Sequence, residues 1–381
     1  MSIHFKGERQ PRVAIVHDWL VTPGGSERVL EALLPLFPDA PIYTLIYKPE
    51  VFRSSLIGQR DIRPSYIDCF PFARRLHRWY LPLMPHAIRR FDLRTFDLII
   101  SISHAVAHGV HIDPNQLHIN YILTPARYAW QQRGEYASLW GLPARLAQGF
   151  LKYFRDWDRE AIRGVDHFVA ISNWIAKNVQ DAYNRDVDEV IYPPVDVLRF
   201  KPANQREDYY IVVSRLVPYK RIDLIVRAFN RLGLPLIVVG EGREKQRYLR
   251  IANNNIRFLA NQSDQEVRHL LSKAKAFVYA SREDFGIAPV EAQAGGCPVI
   301  AFAGGALPET VIDRKTGILF TEQTVDSLVE AINNFEANPR SFSQELITGH
   351  AAQFSQQRFQ EQFSAFVASA WQNHIAEPPG L

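Results

Sequence analysis

Short apolar runs, separated by segments with helical periodicity, are the feature of this sequence that most restricts its fold. Strands that alternate with helices build a parallel sheet with helices on both faces. Several runs end directly in Gly or polar residues, as in VAIVHDW, VVSRL and IVVGEGR. Since ligands bind at the carboxyl ends of such strands, the sequence predicts an α/β protein with its site there. The runs span 13–16, 98–101, 118–123, 167–171, 210–213, 235–239, 276–280 and 298–302.

The length of the chain, 381 residues, corresponds to two or three domains at roughly 150 residues each. A boundary is predicted at 190–202, where paired Pro193 and Pro194 stiffen an extended segment. We therefore expect Rossmann-like domains over 1–192 and 193–354 that face each other across a cleft, the default ligand site. Aromatic and apolar residues at helical spacing predict a terminal helix, about 355–381, that packs back on the first domain.

Composition excludes several classes of protein. The 44 Lys and Arg against 40 Asp and Glu leave a net charge of +4, too small to indicate a nucleic-acid binder. Cys69 and Cys297 lack CxxC spacing, which argues against a disulfide framework or a thiolate metal site. Neither a signal peptide nor a run of roughly 18 apolar residues is present. We expect a cytoplasmic protein that reaches a membrane, if at all, as a peripheral protein on the inner face of the plasma membrane.

The strongest candidate site lies in 280–309, ASREDFGIAPVEAQAGGCPVIAFAGGALPE. Glu283 and Glu291 flank the turn Phe285-Gly286-Ile287, and a helix is predicted from about Ala288. Backbone N–H groups at a helix start bind anions, and glycine lets a phosphate approach the backbone. Carboxylates on both sides suit a substrate with hydroxyls flanking a diphosphate. The alternative is that both are solvated surface residues.

Glu283 and Glu291 enclose seven residues, and this segment resembles the EX7E signature of retaining, nucleotide-sugar-dependent glycosyltransferases of the GT-B type, family four. The resemblance covers nearly the whole chain, since matching segments occur in the same order. The pattern is most similar to mannosyltransferase-like enzymes of bacterial surface and exported polysaccharides. The other matching segments are HDWLVTPGGSERVLE, SISHAVAHGV, TPARYAW, VIYPPVDV, SRLVPYKRIDLIV and GGALPETV.

The resemblance implies donor-site roles for residues in the second half of the chain. Arg215 and Lys220 would hold the nucleotide diphosphate, which is reasonable because two cations stabilise the departing charge. Glu283 would face the hydroxyls of the donor sugar, and Glu291 those of the ribose. The backbone of Gly286 and Ile287 would complete the diphosphate site, while Gly240, Gly242 and Leu259 would surround the nucleobase.

In the first half, the resemblance places the turn Gly24-Gly25 beside the donor phosphate and the acceptor. Asp18 at a strand end is a candidate for the acceptor hydroxyls, with a turn cap as its alternative. His104 is the candidate for the reaction centre, because imidazole donates hydrogen bonds and relays protons near neutral pH. Arg127 and Trp130 are candidates for shaping the acceptor site.

One departure from the family concerns the residue before Thr-Pro, which is a histidine in many relatives and Leu123 here. Leucine neither donates nor accepts, so either His104 and a backbone carbonyl suffice or the activity is altered. A non-catalytic nucleotide-sugar-binding protein is therefore an alternative function, and a nucleotide-sugar epimerase on the same architecture is a second.

Metal sites and other phosphate loops find no support in the sequence. His104, His108 and His111 are interrupted by Gly109, and no carboxylate or thiolate clusters near them. Asp156-Trp157-Asp158 is formally a DxD metal motif, but it lies in a helical pattern, where residues two apart point to different faces. Neither GxGxxG nor a P-loop is present. We therefore expect a metal-independent enzyme without a cofactor.

Residues 70–91, FPFARRLHRWYLPLMPHAIRRF, combine five Arg with aromatic residues and no acid. Such a surface suits anionic lipid headgroups or a lipid-diphosphate carrier, with Arg74, Arg75 and Arg78 as candidate contacts. Nucleic acid is a competing partner, but none of its recognised binding motifs is present. A solvated helix face over packed aromatics is the structural alternative.

These observations predict a retaining hexosyltransferase. It would transfer mannose, the best candidate, from a nucleotide diphosphate sugar such as GDP-mannose. The acceptor would be a saccharide or a lipid-linked sugar in surface or exported polysaccharide synthesis. In this family, retention is usually ascribed to same-face attack, with the leaving phosphate taking the acceptor proton.

Overall fold

The computed structural model describes residues 3, 5, 10–126, 130, 144–260, 262–338 and 341–376. It divides into two compact units. Unit 1 contains residues 1–192 together with 359–381, and unit 2 contains residues 193–358. Each unit is built on its own parallel sheet.

The described residues of unit 1 form a seven-stranded sheet in the order β3-β2-β1-β4-β5-β6-β7. All of its strand pairs are parallel. The two longest strands are buried at every position, which explains their continuous apolar character. The strands are β1 Val13–His17, β2 Ile42–Thr44, β3 Ile62–Pro64, β4 Leu98–Ser103, β5 Leu117–Ile122, β6 His167–Ala170 and β7 Glu189–Val190.

Helices connect the strands of unit 1 and add a terminal helix. The α-helices are Gly25–Leu33, Pro49–Phe52, Ala73–Leu76, Met84–Ile88, Ala144–Ala161, Asn173–Tyr183 and Gln356–Ala376, the last beginning in unit 2. The 3-10 helices are Ile57–Gln59, Tyr66–Cys69, His77–Leu83, Ala107–Gly109 and Ile162–Gly164.

The terminal helix packs on the sheet of unit 1 through aromatic rings. Phe359 and Phe363 lie with their ring centroids 5.7 and 5.9 Å from the ring of Tyr121 on β5. Gln360 donates to the carbonyl of Ala32, 2.8 Å away. The chain thus returns to unit 1 after it has formed unit 2.

The described residues of unit 2 form a six-stranded sheet in the order β10-β9-β8-β11-β12-β13, again with parallel pairs. The strands are β8 Tyr210–Val213, β9 Leu236–Val239, β10 Ile256–Leu259, β11 Ala276–Tyr279, β12 Val299–Phe302 and β13 Gly317–Phe320. The α-helices are Ile222–Leu232, Lys245–Ile251, Asp264–Lys273, Ile287–Ala294, Leu307–Thr310, Val325–Ala337 and Gln344–Ala351. The 3-10 helices are Val197–Arg199, Pro218–Lys220 and Ala352–Phe354.

Alternate residues of β8 enter different apolar clusters. Tyr210 and Val212 belong to one buried cluster, whereas Ile211 belongs to the other. Since successive strand residues point to opposite faces, both faces of this sheet are covered. The prediction of parallel sheets in two Rossmann-like domains is confirmed.

The strand order reverses once in each sheet. The chain moves outward from β1 to β3 and then returns to place β4 on the other side of β1, and β8 and β11 have the same relation in unit 2. Ligands in open α/β sheets bind at this switch point, outside the carboxyl ends of the strands. The switch points are therefore where functional side chains are expected.

Among the described residues, no helix has the length and apolar content needed to cross a membrane.

Candidate functional site

The switch point of unit 2 holds a buried ion pair between Lys220 and Glu283. The Lys220 ammonium donates to Glu283 Oε1 at 2.6 Å, and the two side chains are 12% and 18% exposed. Lys220 ends the 3-10 turn that follows β8, and Glu283 lies in the loop after β11. Burial alone would lower the pKa of Lys220, but Tyr279 and Glu283 outweigh burial and raise it above its ordinary value. The ammonium group therefore stays protonated at neutral pH.

Tyr279 and Ser281 complete this network, and the sequence analysis did not single them out. Lys220 Nζ donates to the Tyr279 hydroxyl at 2.8 Å, and Ser281 Oγ donates to Glu283 Oε1 at 2.7 Å. Both residues lie at or just after the carboxyl end of β11, which is the positional signal that marks them.

Arg215 lies at the same switch point but outside this network. Its side chain is exposed and donates to the Tyr219 hydroxyl at 2.7 Å. Tyr219 also has its ring centroid 5.3 Å from Lys220 Nζ. One tyrosine therefore lies between the two cations predicted to hold the diphosphate.

The helix Ile287–Ala294 begins at Gly286, which has φ +94°. That left-handed conformation favours glycine, and it turns the chain directly into the helix. The first N–H groups of a helix have no partner within it, so the backbone at Gly286 and Ile287 can bind an anion. Glu291 lies on this helix and is half-buried.

Gly240, Gly242 and Leu259 lie at or beyond the carboxyl ends of β9 and β10. A Cβ at Gly240 would lie 1.9 Å from the Ser214 carbonyl oxygen, and one at Gly242 would lie 2.2 Å from that of Leu216. These glycines are thus required where the backbone packs against the loop after β8. This packing role does not test the predicted contact of these residues with the nucleobase.

At the switch point of unit 1, Asp18 differs from its predicted role in acceptor binding. The carboxylate is completely buried. Its oxygens accept hydrogen bonds from the backbone N–H groups of residues 104, 105, 106 and 107 at 2.7 to 3.0 Å. Asp18 therefore acts as a cap that joins the end of β1 to the loop after β4, and it has no exposed surface for an acceptor.

His104 lies beside this cap. Its Nδ1 lies 2.9 Å from Asp18 Oδ2 and has no exposed surface, so the 22% exposure of the side chain belongs to its other atoms. Burial alone would raise the pKa of Asp18, but His104 and the backbone N–H donors outweigh it and hold that pKa well below its usual range. The cap fixes the orientation of the imidazole.

Two further histidines, His17 and His77, lie near His104. His17, the last residue of β1, is completely buried, with its ring centroid 6.4 Å from that of His104. Trp19 lies between His77 and His104, with its ring centroid 5.1 and 4.5 Å from theirs. Burial, followed by the nearby Arg78, lowers the pKa of His77 to about 4. Sequence reasoning missed this cluster because His77 lies far from the strand ends in the chain.

The predicted phosphate turn Gly24-Gly25 forms the start of the helix Gly25–Leu33, and both glycines are exposed. Glu27, which the sequence analysis did not single out, is buried, and its Oε2 would lie 3.0 Å from a Cβ at Gly24. Ser26 donates to the same oxygen at 2.8 Å. A carboxylate at this position favours hydroxyl ligands and repels phosphate.

Trp130 is anchored inside unit 1. Its indole donates to Asp158 Oδ2 at 2.8 Å, and Tyr183 donates to the same oxygen at 2.8 Å. Asp158 is completely buried, whereas the side chain of Asp156 is 57% exposed and pairs with Lys152. The two aspartates of the DxD motif thus lie on different faces of the helix, as its pattern predicts.

Leu123 follows β5, and its N–H donates to the Ser103 carbonyl at 2.9 Å. Arg127 lies outside the described residues. Within the described ranges, no three His, Cys, Asp or Glu residues are arranged to hold a metal ion.

Two family models match consecutive parts of the chain. The model described as Glycosyltransferase Family 4 matches residues 23–199. The model described as Glycosyl transferases group 1 matches residues 196–352, which include the Lys220 and Glu283 pair. Together the two matches extend over both units.

Curated relatives match with moderate identity. A D-inositol 3-phosphate glycosyltransferase of Mycobacteroides abscessus is 28% identical over 70% of this chain and 69% of its own length. A GDP-mannose-dependent alpha-(1-6)-phosphatidylinositol monomannoside mannosyltransferase of Mycolicibacterium smegmatis is 31% identical over 40% of this chain and 48% of its own length. The chain thus spans about half the length of the second relative.

Solved structures share the fold at low identity. Sucrose-phosphate synthase of Thermosynechococcus elongatus superposes with a TM-score of 0.71 at 16% identity, covering 95% of this chain and 99% of that one. Anabaena HepE, solved in complex with UDP, gives 0.68 at 17% identity, with 94% and 100% covered. The predicted resemblance is confirmed: the chain belongs to glycosyltransferase family four and has the GT-B fold.

Proposed function

We propose that this glycosyltransferase transfers mannose from GDP-mannose to a saccharide or lipid-linked acceptor, with retention of the anomeric configuration. The single observation that carries the proposal is the pairing of Lys220 with Glu283 at the switch point of unit 2. Relatives that are named as GDP-mannose-dependent mannosyltransferases support the choice of donor.

The chemistry of the pair fits the cleavage of a bond between a sugar and a diphosphate. The Lys220 ammonium stabilises the negative charge on the departing diphosphate, and the chain itself supplies this cation. Glu283 accepts hydrogen bonds from the sugar hydroxyls. The leaving diphosphate takes the proton of the acceptor hydroxyl as the new glycosidic bond forms on the same face of the sugar. In this mechanism the anomeric configuration of the sugar is retained, although no side chain of the protein attacks the sugar.

The test measures transfer from labelled donors by wild-type protein and by Lys220→Ala. We expect the variant to lose at least about 100-fold in kcat, because the departing charge is no longer neutralised. Lys273→Ala is the matched control, since Lys273 also pairs with a glutamate, Glu207, at 2.8 Å and lies outside the predicted site. Near-wild-type turnover by Lys220→Ala would overturn the leaving-group assignment.

The same donor panel separates the alternatives raised by Leu123. Tight donor binding with neither transfer nor slow hydrolysis would identify a nucleotide-sugar-binding protein. Conversion of the donor without an acceptor would identify an epimerase. Leu123→His is a companion variant, and a gain in transfer on restoring the imidazole would show that this position limits activity.

A further inference from the structure

We propose that the outer face of residues 70–91 is a docking surface for an anionic lipid bilayer. This surface lies in unit 1, on the consecutive helices Ala73–Leu76, His77–Leu83 and Met84–Ile88. Lipid binding is measured without donor or acceptor, so this proposal and the proposed sugar transfer fail independently of each other.

The segment has two apolar faces, and only one of them is used inside the protein. The inner face packs into the core of unit 1 through five buried residues, Ala73, Leu81, Met84, Ala87 and Ile88. The outer face carries Phe72, Leu76, Trp79 and Leu83, which are 73%, 40%, 62% and 40% exposed. These four exposed residues are spaced three or four positions apart along the segment, and we call them the outer stripe. A helix packed on a core needs only its inner face to be apolar.

Exposed apolar side chains are concentrated in this segment compared with the rest of the described surface. Together with Phe70, the segment supplies five of the twelve large hydrophobic residues that are exposed among the described residues. Phe72 has φ +56°, a left-handed conformation that is unfavourable for a bulky residue. The fold thus holds an aromatic ring outward at a position with an unfavourable backbone.

The charges beside the stripe identify the partner. Arg75, Arg78, Arg89 and Arg90 are exposed, and Arg74 is half exposed while it bonds Asp68. No acidic residue occurs between positions 70 and 91. Guanidinium groups attract anionic headgroups, while aromatic and leucine side chains enter the boundary between headgroups and acyl chains. An apolar stripe with arginines alongside it therefore fits a segment that lies on the surface of an anionic bilayer.

The experiment measures cosedimentation of the full chain with vesicles of phosphatidylglycerol and phosphatidylcholine, and with vesicles of phosphatidylcholine alone, at low salt. We expect binding to the anionic vesicles and at least tenfold weaker binding by the double variant Arg75→Glu, Arg78→Glu. The matched control reverses two exposed arginines of unit 2, Arg227→Glu with Arg250→Glu, which changes the net charge equally. The control should bind as the wild type does.

The apolar stripe is tested separately with Phe72→Ser and Trp79→Ser in one variant. We expect this variant to lose the part of the binding that resists added salt, and Trp79 fluorescence in the wild type to shift to the blue on vesicles. Near-UV circular dichroism verifies that each variant is folded. The proposal is overturned if anionic vesicles do not retain the wild type, if the control loses binding as strongly as Arg75→Glu, Arg78→Glu, or if the apolar variant binds unchanged at every salt concentration.

Discussion

At the scale of single residues, hydrogen bonds connect Lys220, Glu283, Tyr279 and Ser281. Lys220 is the only cation in this set, and two hydroxyl groups fix its position and that of the carboxylate. A buried charge is stable only where hydrogen bonds and an opposite charge compensate its lost hydration. Tyr279 is therefore more than a packing residue, because its hydroxyl is one of the groups that orient the Lys220 ammonium.

Tyr279→Phe tests this positioning role. The ring remains to pack near Phe277, while the acceptor for Lys220 is removed. We expect kcat for sugar transfer to fall about tenfold while the donor KM stays within about twofold, since the misplaced ammonium costs about 1.4 kcal/mol in the transition state. Steady-state kinetics measures both constants.

The control for Tyr279→Phe is Tyr210→Phe in the same unit. Tyr210 donates to Glu336 at 2.6 Å, and Lys275 lies 5.8 Å from its ring centroid, so a lysine, a tyrosine and a glutamate again occur together. This control should leave kcat unchanged. Equal losses in the two variants would show that the Tyr279 hydroxyl serves only stability.

Sequence reasoning identified some members of the site and missed others for a physical reason. Lys220 and Glu283 lie in segments with a recognisable motif, and the fold brings them together across 63 positions. Tyr279 and Ser281 belong to no motif, so only the strand-end geometry reveals them. The reverse holds for Asp18, where a polar residue at a strand end predicted a ligand contact and the fold uses it as a cap.

At the scale of elements, Asp18 joins two strands at the switch point of unit 1. Its carboxylate bonds four consecutive backbone N–H groups after β4, a segment that has no strand partner there. Buried N–H groups need an acceptor, and a single carboxylate supplies all four. The position of His104 thus depends on a residue at the end of β1.

Asp18→Asn tests the cap. One amide oxygen replaces two carboxylate oxygens and the amide NH2 faces the same donors, so buried N–H groups lose their acceptors. We expect the free energy of unfolding to fall by roughly 3 kcal/mol, as for a broken buried charge network. Urea titration measures the change.

Asp92→Asn is the control for the cap. Asp92 also belongs to unit 1 and bonds an arginine, Arg94, but its side chain is 63% exposed. Surface ion pairs contribute little to stability, so this variant should unfold much as the wild type does. A loss of less than about 0.5 kcal/mol for Asp18→Asn would contradict the proposed role of the cap.

Strands of only two or three residues were not revealed by the sequence. The eight apolar runs correspond to strands, whereas β2, β3 and β7 have only two or three residues and show no periodicity of their own. Strands this short are recognised by their pairing with a neighbour, which a local pattern does not contain. The missed β13 begins with Gly317, where a Cβ would lie 1.9 Å from the Val299 carbonyl oxygen. Glycine there permits close strand packing while it weakens the strand pattern.

At the scale of the whole molecule, both units repeat one topological plan and place different chemistry at the same point in it. In unit 1 the switch point carries histidines and a buried carboxylate, and in unit 2 it carries a lysine and a glutamate. The alternation of strands and helices predicted this architecture, because it follows from local periodicity. The chemistry at each switch point depends on individual side chains, which periodicity does not specify.

Buried histidines make the stability of the protein depend on pH, and His118 on β5 provides the clearest test. It is completely buried between Ser101 and the Gly164 carbonyl, and burial lowers its pKa to about 4. Below about pH 6.5 the unfolded chain takes up a proton at this position, whereas the folded chain does so only near pH 4. Stability is therefore lost as the pH falls, by roughly 2 kcal/mol at pH 5 for this group.

Urea titrations at pH 7 and pH 5 test this dependence. The difference in the free energy of unfolding between the two pH values should be smaller for His118→Asn than for the wild type. His111→Asn is the control: its side chain is 72% exposed, and the substitution should leave the difference unchanged. An equal pH dependence in all three proteins would mean that the pKa of His118 is the same in the folded and the unfolded chain, and it would contradict this prediction.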